Sequence, residues 1–299
     1  MYLLEMDFLS AAQTAALLPY PELAEAIERV LRDKAAGTVW APERLVMPLP
    51  GGGTLLLMPA ADAEITIVKQ VTVHPGQQPS VRAEVYVLDT RTGERRLGLD
   101  GATVTARRTA AVSLLAAQKL APNPEGPMLI VGAGTQGRGH LEAFRSGLGV
   151  KKVYVASRNL EHAQALVAQA RSLGLEGEPA PSLEAVLGEV SLIVTATTSR
   201  TPVLPEGVRE DAFIAAVGAF QPEMAEIPAG LVRRSRVFVD SLEGARAEAG
   251  DLIQAGVDWG RVRGLEGPRP QDGPVLFKSV GHALWDLAAA RLAMRMLGS

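Results

Sequence analysis

The six residues Gly132-Ala133-Gly134-Thr135-Gln136-Gly137 constrain this chain more than any other stretch. They follow the apolar run 128–131, open the helical pattern 137–148 and precede a second apolar run at 152–156. In that setting G-x-G-x-x-G has a mechanical meaning. The first glycine permits a tight turn, the second lets backbone approach a pyrophosphate, and the third lets helix pack closely on strand. The helix N-terminus then offers its free N–H groups to the phosphate charge. A ligand-free glycine turn would carry the same three residues, but the ordered strand, helix and strand around them favour a dinucleotide.

Beyond this unit the alternation continues, with a helix at 160–173 and further apolar runs at 191–196, 213–217 and 236–240. Near-continuous apolar strands separated by helices predict an α/β fold with a Rossmann-type, doubly wound parallel sheet. Upstream the pattern is different. Residues 10–36 are helical, with Ser10 as a cap, Pro21 at a second helix start, and Leu23, Ile27, Val30 and Leu31 forming one apolar stripe. Short β-rich runs at 54–58, 65–73, 83–89 and 94–99 are separated by turn residues, which predicts an antiparallel sheet. A helix over 103–120 follows, and the Pro/Gly stretch 122–127 marks a boundary. The C-terminal pattern 280–297 is an amphipathic helix with no strand after it. The expected organisation is therefore an α+β domain of residues 1–121 completed by 280–299, and a dinucleotide domain of 122–279.

Composition removes several classes. A chain of 299 residues, 47% hydrophobic and 21% charged, can bury a substantial core. The net charge of −3 and the lack of a basic run argue against a nucleic-acid partner. Absence of cysteine excludes thiol nucleophiles, disulfides and cysteine-held zinc, and four histidines form no metal-ligand pattern. No apolar stretch approaches the ~18 residues that span a bilayer. Met1-Tyr2-Leu3-Leu4-Glu5-Met6-Asp7 has no basic n-region or cleavage site. The expectation is a cytoplasmic protein with no membrane partner and a small-molecule substrate.

The end of the second apolar run refines the cofactor. An NAD-binding unit usually places Asp or Glu there, on the ribose 2′-hydroxyl, about twenty residues after the glycines. This chain has Ser157-Arg158-Asn159. A carboxylate would repel a 2′-phosphate, whereas a hydroxyl beside a guanidinium accepts it, so NADP(H) is expected ahead of NAD(H). The alternative is that Arg158 stacks on the adenine of NAD. Asn159 is also placed to cap the next helix. Thr195, Thr197 and Thr198 end a later strand at the edge where such sheets bind ligands, although Ser/Thr clusters there also form plain turns.

Three basic residues in the first domain are candidates for holding a polar substrate. Arg44 follows Trp40-Ala41-Pro42-Glu43, Lys69 interrupts the run 65–73, and Arg108 lies in the helical stretch 103–120. By alternation Lys69 shares a face with Ile65, Ile67, Val71 and Val73, which is costly unless its charge is paired or lines a cavity.

Together with Lys69 and His74-Pro75-Gly76, the ordered motifs Asp100-Gly101, Arg108-Thr109-Ala110-Ala111, Gly132-Ala133-Gly134-Thr135-Gln136, Thr195-Ala196-Thr197, Val217-Gly218-Ala219, Asp240-Ser241, Glu248-Ala249-Gly250-Asp251 and Phe277-Lys278-Ser279-Val280-Gly281 resemble the ornithine cyclodeaminase/μ-crystallin family over almost the whole chain. The resemblance implies an N-terminal domain for substrate and dimerisation beside a Rossmann domain, in a homodimer acting on small α-amino, α-keto or cyclic α-imino acids. It implies that Arg44 and Arg108 hold the substrate carboxylate. Lys69 then contacts that carboxylate and exchanges a proton at the reacting nitrogen. Ala133, Thr135 and Gln136 follow the pyrophosphate, Ser279 lies near the nicotinamide, and Val217 is a further cofactor contact.

One departure narrows the chemistry. Cyclodeaminases of the family carry an aspartate where Ala216-Val217-Gly218-Ala219 is followed here by Phe220. Ring closure with loss of ammonia needs a base for the amine protons, and phenylalanine supplies none. Reduction of a ring that already contains C=N needs a carboxylate anchor, a proton and a hydride, and an apolar Phe220 is suited to pack on such a ring. The expected activity is reduction of Δ1-pyrroline-2-carboxylate and Δ1-piperideine-2-carboxylate to proline and pipecolate. The competing readings are an ornithine cyclodeaminase, an alanine dehydrogenase-like enzyme and a μ-crystallin-like ligand-binding protein. Of the histidines, His74 reads as a turn residue and His140 as a packing or surface residue.

Overall fold

The computed structural model describes residues 8–270 and 272–298; the N-terminal stretch 1–7, read for a signal sequence above, lies outside them. The chain forms two compact units, one from residues up to Arg108 joined by those from His282 onward, the other from Thr109–Gly281. The division falls within a long helix rather than at the Pro/Gly stretch 122–127, so Arg108 belongs to the first unit.

The first unit runs β1 (Phe8–Leu9), α1 (Ala11–Ala16), α2 (Tyr20–Ala35), β2 (Leu45–Leu49), β3 (Gly53–Ala61), β4 (Ile65–Val73), β5 (Val81–Asp89), β6 (Arg95–Asp100) and α3 (Gly101–Leu120). Ser10 caps α1 as its sequence predicts, and the Gln13 side chain accepts the Ser10 N–H in return. The sheet order is β1-β6-β5-β4-β3-β2. Strands β2 to β6 form the antiparallel meander that the turn signals imply, whereas the two-residue β1 adds a parallel edge. Strand β2 escaped the sequence reading because Pro48 interrupts it, and proline is tolerated there because β2 is the outer edge.

The second unit contains the C-terminal part of α3, then β7 (Met128–Val131), α4 (Thr135–Leu148), β8 (Lys152–Ala156), α5 (Leu160–Ser172), β9 (Glu176–Pro179), α6 (Leu183–Leu187), β10 (Leu192–Thr195), β11 (Phe213–Ala216), α7 (Ala229–Arg234), β12 (Arg236–Val239), α8 (Leu242–Glu248), α9 (Gly250–Gln254), β13 (Arg263–Gly264) and β14 (Val275–Lys278). Every strand pair is parallel, in the order β13-β12-β14-β11-β10-β7-β8-β9. From β7 the chain winds outward through β8 and β9, then returns to place β10 on β7's other side. The topological switch point is therefore between β7 and β10, where sheets of this class bind ligands. Strands β7, β10, β11 and β14 are buried along their whole length, which explains their near-continuous apolar sequences; Thr195 ends β10, and Lys278 ends β14.

His140 on α4 is fully buried within this unit. Its Nδ1 lies 2.7 Å from the Gln136 carbonyl, which can only accept, so Nδ1 carries the proton and Nε2 accepts from Ser113 Oγ at 2.9 Å. The neutral ring thus ties α3 to α4 directly behind the glycine turn.

After β14 the chain re-enters the first unit as α10 (Ala283–Met296), which packs on α2 and across β3 and β4. Leu284, Trp285, Leu287, Ala288 and Leu292 are buried, together with one aspartate, Asp286.

Burial drives the His140 pKa down to about 4. The unfolded chain, with a histidine pKa near 6.5, then binds more protons than the folded one between those values. Stability is expected to fall as pH drops from about 6.5 to about 4, by at most about 1.4 kcal/mol per unit from this residue. Urea unfolding across that range should show a shallower acid loss in His140→Asn than in the parent.

Candidate active site

Two sets of candidate functional side chains are present, one in each unit. In the first unit, the alternation of β4 directs Ile65, Ile67 and Lys69 to the same buried face. Lys69 is only 2% exposed, and its cross-strand neighbours Met58 and Val85 are buried and apolar. Its ammonium lies 3.2 and 3.4 Å from the two carboxylate oxygens of Asp286, which is itself wholly buried on α10. Arg108, on the first turns of α3, brings its Nε to 3.5 Å from Asp286 Oδ1. That contact is an ion pair without a hydrogen bond, and the Nε–H is buried with no acceptor. A charged donor left unsatisfied in an apolar setting points to an acceptor that arrives from outside.

Burial is the main force on Lys69 and lowers its pKa to about 8; Asp286 opposes this, and the charges of Arg108 and Arg44 reinforce it. Arg44 is half-buried just before β2 and contributes to the same field. The structure thus brings together Lys69, Arg108 and Arg44, and adds Asp286, which the sequence reading missed. A signal existed, since an aspartate inside Ala283-Leu284-Trp285-Asp286-Leu287-Ala288 is as anomalous as a lysine in an apolar strand. His74 sits in the turn after β4, its ring against Gly53.

In the second unit the residues at the switch point fit a dinucleotide. Gly132 has φ +111°, and a Cβ there would lie 2.4 Å from the Ala196 carbonyl. A Cβ on Gly137 would lie 2.1 Å from the Gly132 carbonyl, so this glycine is what lets α4 begin against the turn. Around Gly134, by contrast, a Cβ would meet nothing, which leaves the space a phosphate needs beside the N-terminus of α4. Ala133 is buried and Thr135 exposed in the first turn. The Gln136 Oε1 and Thr195 Oγ1 atoms are buried without partners.

Ser157, Arg158 and Asn159 follow the end of β8. Asn159 caps α5 by accepting the His162 N–H, as expected, and Ser157 Oγ accepts the Asn159 N–H. Arg158 is exposed and holds no hydrogen-bond or ion-pair partner among the described residues. Thr198 is exposed, Val217 is buried at the end of β11, and the Ser279 hydroxyl donates to Asp240 at 2.7 Å. Phe220 is 49% exposed in the loop after β11.

Glu226 organises this edge, and no sequence motif announced it. Its fully buried carboxylate accepts from Thr197 N (2.6 Å) and Oγ1 (2.8 Å) with one oxygen. The other accepts from Gly218 N (2.7 Å) and Ala219 N (3.2 Å), so the loops after β10 and β11 are clamped together. Burial raises the Glu226 pKa, opposed by Lys278 and the Thr197 N–H. Its own N–H donates to Asp251, whose second oxygen is paired with the buried Lys278 ammonium at 2.8 Å. Among the described residues no acidic or histidine cluster is arranged to hold a metal, and no helix is long and apolar enough to cross a membrane.

A family model described as "Ornithine cyclodeaminase/mu-crystallin family" matches residues 4–296. The chain is 43% identical to Delta(1)-pyrroline-2-carboxylate reductase 1 of Burkholderia multivorans, covering 97% of this chain and 95% of that one. It is 42% identical, with the same coverage, to the Delta(1)-pyrroline-2-carboxylate/Delta(1)-piperideine-2-carboxylate reductase of Azospirillum brasilense. Among solved structures it is similar to Thermococcus litoralis Delta(1)-pyrroline-2-carboxylate reductase in complex with NADH and L-proline, with a TM-score of 0.89 and 29% identity over 97% of both chains.

Gly137→Ala should push α4 off the turn and lower affinity for reduced dinucleotide by about tenfold or more, read by fluorescence titration. Glu226→Ala strands the donors of both loops, so the same titration should weaken while unfolding shifts by about 3 kcal/mol.

Proposed function

Because the chain belongs to the ornithine cyclodeaminase/mu-crystallin family, we propose that it is a nicotinamide-dependent reductase of cyclic α-imino acids, converting Δ1-pyrroline-2-carboxylate to proline and Δ1-piperideine-2-carboxylate to pipecolate. The observation that carries this reading is the buried Lys69–Arg108 pair, with the Arg108 Nε–H lacking an acceptor. A substrate carboxylate completes the hydrogen bonding of that guanidinium, supported by the charge of Arg44. Lys69 offers the imine nitrogen a proton from an ammonium whose burial makes it easier to surrender. The dinucleotide, when bound, supplies the hydride that reduces the C=N carbon. Phe220 stands where cyclodeaminases carry the aspartate that takes up the amine protons, so the chain is suited to reduction and not to cyclodeamination.

The same reading assigns substrate binding to the first unit and the dinucleotide to the second. Gly132, Ala133, Gly134, Thr135, Gln136 and Gly137 cradle the pyrophosphate, and Thr195, Thr197, Thr198, Val217 and Ser279 surround the nicotinamide. At the adenosine end we assign NADPH preference to Ser157 and the unpartnered Arg158, although NADH is the cofactor captured in the Thermococcus litoralis structure. Reaction with a dissolved cofactor pool suits a cytoplasmic location. A homodimer through the first unit accords with Trp40, Leu45, Val46 and Met47, which are exposed on or beside the edge strand β2.

Turnover should be seen with both imines and should be faster with NADPH than with NADH. Oxidation of NADPH with pyruvate plus ammonia, and none with either imine, would replace this reading with an alanine dehydrogenase-like one. Arg158→Ala should cut the NADPH:NADH preference about tenfold or more while leaving NADH kinetics nearly unchanged. Lys69 is charged below its pKa and neutral above it, so imine reduction should fall as pH rises through about 8. Lys69→Met should abolish that limb and lower kcat/KM by about a hundredfold or more.

A further inference from the structure

We propose that Asp286 is a positioning residue of the reductase site: it keeps the Lys69 ammonium charged and aimed, and it competes with the substrate carboxylate for Lys69 and Arg108. This rests on the reading that these two cations bind and protonate an imino acid.

The pattern of contacts separates Asp286 from the buried acids that serve structure. Asp251 and Asp62 each accept backbone N–H groups, at 2.5 and 2.8 Å and at 2.6 and 2.7 Å. Asp286 accepts none; among the described residues its carboxylate meets only Lys69 Nζ and Arg108 Nε, at 3.2 to 3.5 Å. Its position in the first turn of α10 favours a negative charge there. A carboxylate held by a helix end and loosely shared between two cations is one that a second carboxylate can redistribute.

The groups facing Lys69 can be named from each neighbouring element. The flanking strands present Met58 and Val85, α3 presents Arg108, the segment before β2 contributes the charge of Arg44, and α10 presents Asp286. Asp286 is thus the one anion set against two arginines among them. When a substrate carboxylate draws Arg108 to itself, Asp286 remains as the partner that fixes Lys69. An ammonium has three N–H donors, so those not directed at Asp286 remain for the substrate. After its proton passes to the imine nitrogen, neutral Lys69 regains one from solvent, and Asp286 favours that recharging.

The test uses the full chain carrying Asp286→Asn, nearly equal in shape and without the charge. Two readouts are needed. First, the limb of kcat/KM that falls near pH 8 for Δ1-pyrroline-2-carboxylate reduction should move acid by about one unit or more. Second, calorimetry with the unreactive planar carboxylate pyrrole-2-carboxylate, at the acid end of the profile, should show binding tightened by about fivefold or more. A purely structural Asp286 would lower the unfolding temperature and move neither quantity, and an unmoved limb or unimproved carboxylate binding overturns the proposal. Should the asparagine variant not fold, Asp286→Glu keeps the anion and must keep the limb in place while kcat falls; a shifted limb there overturns it equally. If the parent enzyme reduces neither imine, the functional reading fails on its own, and the calorimetric comparison still decides the role of Asp286.

Discussion

An ammonium group cannot leave water without an anion or a full set of acceptors to receive it. In this protein the anion for Lys69 is supplied from 217 residues further along the chain, by Asp286 on the last helix. That requirement accounts for the discontinuous first unit. An antiparallel sheet with one apolar face needs a helical cover, and α10, backed by α2, supplies it over β3 and β4. The chain therefore returns after the whole parallel sheet has been laid down. The buried face of α10 is Ala, Leu and Trp apart from Asp286, and that polar exception meets the polar exception of β4. Desolvation then lowers the affinity of Lys69 for its proton, and the flanking arginines add to that tendency.

The second unit solves a different problem, how to hold short loops still at the open edge of a parallel sheet. Glycines at 132 and 137 let backbone meet backbone where a Cβ would collide. Glu226 then satisfies N–H groups from two successive loops with one carboxylate, and Asp251 and Lys278 anchor the segment that carries it. A buried acid accepting several N–H groups is rigid because each lost bond leaves an unpaired donor behind. His140, locked neutral between Gln136 and Ser113, braces the same turn from the rear.

How much of this could be read beforehand follows from which interactions are local. The glycine turn, the Ser10 and Asn159 caps and the inward direction of Lys69 are set by nearest neighbours or by a two-residue period, and each stands where the sequence placed it. Strand β14 was visible only as part of a motif, since four residues between β11 and β12 in space carry no sign of that insertion in their order. Strands β1 and β13 are too short for a period to show, as are the short helices α6 to α9, and β9, Glu176-Gly177-Glu178-Pro179, carries no apolar strand residue. Asp286 and Glu226 are long-range partners. A sequence shows that a buried charge needs a counterpart, but the counterpart's position is decided by packing.

If Lys69, Arg108 and their surroundings serve reduction of a cyclic imine, hydride must pass from the nicotinamide to the imine carbon. The most direct measurement follows a label. Incubation with NADPH deuterated at the transferable nicotinamide C4 position and Δ1-pyrroline-2-carboxylate, followed by mass spectrometry and NMR, should yield proline bearing deuterium at C2. Unlabelled substrate recovered with NADPH unspent, beside deuterated alanine from pyruvate and ammonia, would contradict it.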